Sequence, residues 1–139
     1  MEQLPFNRLY LDGTVFVATQ SALHVITPSA GFVLHLAGSR SETGYTDGEG
    51  QDARFNQPFG LAVASDGSLL VADTGNHRLR CVTPHGTVLT VAGGGEGFAD
   101  GVGTSARFNC PWGIVVDAYS TIYVSDCYNR CIRKVMPSD

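Results

Sequence analysis

Residues Gly44 to Val82 return 53 positions later as Gly97 to Val135, and 16 of the 39 aligned positions are identical. The agreement includes the unbroken Ala53-Arg54-Phe55-Asn56 against Ala106-Arg107-Phe108-Asn109. A fixed period of this length marks a propeller or solenoid, in which each repeat is one supersecondary unit that buries its faces against its neighbours. That requirement limits the choice of fold before any single side chain does.

Within one period, short apolar runs alternate with turn residues. Leu61-Ala62-Val63-Ala64 precedes Ser65-Asp66-Gly67, Ser68 to Ala72 precedes Asp73-Thr74-Gly75-Asn76, and His77 to Val82 precedes Pro84-His85-Gly86 and a last run, Thr87 to Ala92. Turns this short join neighbouring strands as antiparallel hairpins, so the unit is a four-stranded meander. Leu69-Leu70-Val71 and Ile122-Tyr123-Val124 are apolar at consecutive positions, which calls for cover on both faces of the sheet. The third run is threaded with Arg78, Arg80, Arg130 and Arg133, as expected farther from the axis.

A weaker copy comes first. Pro5-Phe6 echoes Pro58-Phe59, Asp12-Gly13 echoes Asp66-Gly67, and Leu23-His24-Val25-Ile26-Thr27-Pro28 echoes Leu79 to Pro84, with Thr19-Gln20-Ser21-Ala22 standing in for a longer middle turn. Composition agrees with turn-rich β structure: 17 glycines punctuate the 139 residues. The formal charge of −4 gives the whole molecule no electrostatic attraction for nucleic acid or an anionic membrane. No leader-like segment or long apolar run appears, so the chain reads as soluble and cytoplasmic.

The strings Pro58-Phe59-Gly60-Leu61-Ala62-Val63, Leu70-Val71-Ala72-Asp73-Thr74-Gly75-Asn76-His77-Arg78-Leu79-Arg80 and Val124-Ser125-Asp126-Cys127-Tyr128-Asn129-Arg130 resemble NHL repeats. The resemblance implies an all-β fold, a β-propeller of four-stranded antiparallel blades. In that family such a propeller is used mainly as a platform for protein, peptide or RNA. The single domain 1–139 then divides into blades at about 5–43, 44–96 and 97–139, the last lacking its fourth strand. The third copy departs at Cys127, Tyr128 and Cys131; Tyr128 replaces Gly75, where a positive φ would have cost little.

The repeated Gly-(Tyr/Phe)-x-Asp-Gly segment is the link between blades. Asp52 to Phe55 and Ser105 to Phe108 are each expected to form one helical turn, with the aromatic ring between blades. Arg54 and Arg107 are expected to pair with Asp73 or Asp126. Three blades leave apolar end faces. Either a second copy closes the ring about a twofold axis, or the ring is completed by further sequence; Met1 at the start of the first copy favours a separately made chain.

Chemistry-bearing residues mostly have structural readings. Asp73 and Asp126 recur once per blade and are expected to cap turns rather than act as acids or bind calcium. His24, His35, His77 and His85 share no metal-ligand spacing, and Cys127-x-x-x-Cys131 is not a zinc pattern. The four cysteines are expected to be reduced thiols. No nucleophile elbow or phosphate loop is present, and neither a metal nor another cofactor is expected. Phe59 and Trp112, each between proline and glycine, pack between blades or rim a pocket at the mouth of the ring. Arg78, Arg80, Arg130 and Arg133, with Lys134, form a candidate basic rim.

The leading reading is a non-enzymatic scaffold that binds a protein or peptide through Phe59, Trp112 and the four arginines, and that self-associates to close the propeller. An axial-metal enzyme of the lyase or lactonase kind is the first alternative; Asn56 and Asn109 are its nearest candidate ligands. The second is an RNA platform, disfavoured by the acidic charge.

Overall fold

The computed structural model describes residues 13–27 and 31–137, which form strands and 3-10 turns with no α-helix among them. The strands make three antiparallel sheets, one per repeat, standing side by side as an open arc of propeller blades. The first sheet holds β1 (Val15–Ala18), β2 (Ala22–Thr27) and β3 (Phe32–Gly38). The second holds the two-residue β4 (Gly48–Glu49), then β5 (Pro58–Val63), β6 (Leu69–Asp73), β7 (Arg78–Val82) and β8 (Thr87–Ala92), ordered β4-β8-β7-β6-β5. The third holds β9 (Pro111–Val116), β10 (Ile122–Asp126) and β11 (Cys131–Val135). The expected Pro5-Phe6 echo lies outside the described residues.

The consecutive apolar residues of β6 divide between two cores. Leu69 and Val71 join Val82 and Val88 against Leu23 and Val25 of the first blade. Leu70 and Ala72 join Leu79 and Ala92 against Ile114, Ile122 and Val124 of the third. The middle blade is therefore covered on both faces, as its pattern requires. The third is not: β10 alternates buried and exposed residues, and Val115, Tyr123 and Ile132 are exposed.

Each link fills the wedge between blades with an aromatic ring. Phe55 is fully buried in the first core and Phe108 almost fully in the second, each worth about 1.5–3 kcal/mol of transfer free energy. The helical turns fall two residues earlier than expected, at Gly50–Asp52 and Gly103–Ser105. Gly50 and Gly103 start them at φ values of 50° and 54°, while Ala53 and Ala106 are already extended. An extended backbone aims the ring inward.

The β6–β7 turn corrects another expectation. Positive φ falls at His77 (55°) and Arg130 (57°), two residues beyond Gly75 and Tyr128. Gly75 is tied to space instead, because a Cβ there would lie 2.7 Å from the Asn56 carbonyl oxygen. Its N–H donates to that oxygen at 2.8 Å, whereas Tyr128, which carries a Cβ, makes the equivalent bond to Asn109 O at the longer distance of 3.1 Å. Inner strands approach closely too, and a side chain at Gly60 would collide with the Trp112 carbonyl.

Candidate binding face

The charged residues of the repeat form an internal network. Arg80, fully buried, donates to Asp73 at 2.8 Å, Asp47 at 2.8 Å, Arg54 O at 2.9 Å and Thr46 O at 3.0 Å. Asp73 also accepts from Asn56 N–H at 2.9 Å and from Asn76 Nδ2 at 2.7 Å. Burial pushes its carboxyl pKa up, against those two bonds and the charge of Arg80. The third blade repeats the set: Arg133 reaches Asp126, Asp100, Arg107 O and Ala99 O, and Asp126 accepts from Asn109 N–H and Asn129.

This geometry corrects two expectations. Asp73 and Asp126 accept from backbone amides of the preceding link, and from their own turns only the side-chain amides of Asn76 and Asn129. Their cationic partners are Arg80 and Arg133, whereas Arg54 meets Glu42 at 3.1 Å. Arg80 lies opposite Val71, on the same sheet face as Asp73 and diagonal to it, which puts its guanidinium in reach. Arg80 and Arg133 are thus internal cross-links, unable to form a basic rim. The sequence held the signal: both arginines, both partners in β and both link aspartates are identical in the two copies.

The remaining candidates gather at one end of the blades. Pro58 pairs with Asp73 and Pro111 with Asp126, so inner strands begin beside the β6–β7 and β10–β11 turns. Phe59 and Trp112 stand there on adjacent blades, their ring centroids 4.4 Å apart at 47°. They remain 56% and 42% exposed, which makes the inter-blade contact also an exposed aromatic ledge. Arg78 is half-buried, with its guanidinium 4.6 Å above the Tyr45 ring. Arg130 and Tyr128 are exposed on the next turn.

Cross-blade bonds hold this ledge in place. Thr74 Oγ1 donates to Pro111 O at 2.6 Å, and Cys110 N–H donates to His77 Nδ1 at 3.0 Å. His77 therefore has a structural task. Burial, first of all, raises the thiol pKa of Cys81 and Cys110. Such thiols are poor nucleophiles. Among the described residues, no group of three or more His, Cys, Asp or Glu is placed to hold a metal.

Comparison with known proteins agrees with this architecture. The NHL repeat family profile matches residues 55–82 and 108–135. NHL repeat-containing protein 2 of Bos taurus is 36% identical over 120 residues, covering 77% of this chain and 16% of that protein. A Bacteroides thetaiotaomicron protein of unknown function superposes with a TM-score of 0.82 at 30% identity, over 91% of this chain and 33% of its own. An auxiliary nutrient binding protein from the same species superposes at 0.77 and 27% identity, over 87% and 34%. The chain thus spans about a sixth of the curated relative and a third of each solved structure.

Proposed function

The chain is an NHL-repeat propeller protein, and we propose that its blades serve as a non-enzymatic scaffold that binds a protein or peptide across the Phe59–Trp112 face. The observation that carries this reading is the exposed aromatic pair, fixed by inter-blade bonds at the mouth of the arc. Exposed aromatic groups on a rigid frame lose little conformational entropy on binding and make strong anchors. Arg78, at the start of β7, and Arg130, on the β10–β11 turn, lie towards the same end of the blades; the Arg78 guanidinium donates to the Asn76 and Gly94 carbonyls, and Arg130 is exposed. The carboxylates and His77 are occupied by structural bonds, which favours binding over catalysis. The nutrient-binding description of one structural neighbour points to the same class of activity.

The open face of the third blade supports self-association. Val115, Tyr123 and Ile132 correspond to Ala62, Leu70 and Leu79, which the middle blade packs towards its neighbour. A second copy that lays its first blade on this face closes a ring of six. Four cysteines without a disulfide fit a reducing compartment such as the cytoplasm. Among the described residues, no helix is long and apolar enough to cross a membrane.

Selection of a displayed random-peptide library on the protein, followed by binding measurements on Phe59→Ala/Trp112→Ala, tests the face. Selected peptides should bind the variant about thirtyfold more weakly. Equal binding to both proteins would place recognition elsewhere.

A further inference from the structure

Two thiols face each other where the third blade begins, beside the aromatic ledge but not part of it. Pro111 pairs with Asp126 across the β9–β10 ladder, and Tyr128 N–H donates to Asn109 O at 3.1 Å. Cys110 and Cys127 lie between those two contacts, directly opposite each other. Facing residues of an antiparallel pair stand about 4.5–5.5 Å apart at Cα, inside the roughly 4.4–6.8 Å that a disulfide spans. Burial, then the charges of Glu96, Cys127 and Asp126, raise the Cys110 pKa, so one sulfur feels the other. The middle blade makes the same contacts around Gln57 and Thr74, with φ of 50° at Gln57 and 53° at Cys110. The turn itself therefore needs no sulfur at either position. The remaining thiols have no such partner across their ladders: Cys81 faces Leu70 and Leu89, and Cys131 faces Asp126.

We propose that Cys110 and Cys127 are a redox modification site, forming a reversible disulfide that locks the start of β9 to the β10–β11 turn. Both thiols are free in the structure, the state of a reducing compartment. The oxidant is a low-molecular-weight disulfide, RSSR. Gln57 stays exposed although the middle blade has a neighbour on each side, so Cys110 occupies a position that solvent reaches whatever covers the third blade. Its thiolate attacks one sulfur of RSSR, forming a mixed disulfide and expelling RS−. The Cys127 thiolate then attacks the Cys110 sulfur, closes the protein disulfide and expels the second RS−. The two thiol protons end on the two expelled thiolates, and two electrons pass from the cysteines to RSSR. Because its pKa is raised, Cys110 holds little thiolate at neutral pH, and the first step is slow there. Cys110 N–H already donates to His77 Nδ1 of the middle blade, and Trp112 follows two residues later. The disulfide thus fastens the seam between blades next to the ledge.

The test treats the reduced full chain with oxidised glutathione and maps the products by mass spectrometry. Cleavage before Asp117 and after Arg130 puts Cys110, Cys127 and Cys131 on three separate peptides. The expected product has lost two hydrogen atoms, joins the Cys110 and Cys127 peptides, and returns to free thiols with dithiothreitol. Oxidation should also raise the thermal midpoint by about 5 °C. Cys110→Gln and Cys127→Thr, each carrying the residue of the middle blade, should fold and lose both the linked peptide and the shift. Cys81→Ser/Cys131→Ser should keep both. A Cys127–Cys131 bond, a disulfide only between chains, or glutathione left on Cys110 without closure would overturn the proposal, as would an unchanged midpoint after oxidation.

Discussion

A buried ion pair fixes the shape of each complete repeat, and Arg80 shows how. Its guanidinium joins a strand, two link carbonyls and two carboxylates, so removing it leaves Asp73 buried without its cation. Breaking a buried pair from one side costs about 3–5 kcal/mol, whereas an exposed pair contributes about 0–1 kcal/mol. Urea unfolding of Arg80→Ala should therefore show a large loss, and Arg54→Ala, which frees the exposed Glu42, a small one. The structural role of Asp73 was legible from its recurrence at a turn. The role of Arg80 was not read, because an arginine in a strand suggests solvent until its recurrence with Asp47 and Asp73 is set beside that of Arg133 with Asp100 and Asp126.

Strands and links were legible to different degrees. The meander follows from runs of β-branched and aliphatic residues separated by Asp-Gly and Pro-His-Gly, and strand pairing agrees with it throughout the middle blade. The helical turns in the links fell two residues from their expected places, since short glycine-rich segments take their conformation from the core they must reach. The first blade has a feature that the period does not show. His24 on β2 meets His35 on β3 edge-on at 5.7 Å. Burial, then the charges of His35 and Arg40, hold its pKa below the ordinary 6.5. The folded state therefore binds fewer protons than the unfolded chain near that pH, and stability falls as the pH drops through 6.5. Denaturation midpoints measured between neutral and mildly acid pH should decline, and His24→Gln should flatten the decline.

At the scale of the whole molecule, the described residues form an arc whose two complete wedges show how blades adhere and whose third blade presents, among those residues, the same surface uncovered. On the middle blade, Leu70, Ala72 and Leu79 are buried against a neighbour; on the third, the equivalent Tyr123, Ser125 and Ile132 face outward. The repeat count carries the expectation of a closed ring; the described blades form an open arc. The exposed ledge of Phe59 and Trp112 was only half legible, since a sequence does not tell an aromatic that packs between blades from one that also meets solvent. Light scattering on a sizing column tests the central claim that these blades are half of a closed ring. A particle of twice 14.8 kDa that dissociates on Ile132→Asp is the result expected, and a well-folded monomer of 14.8 kDa at every concentration would contradict it.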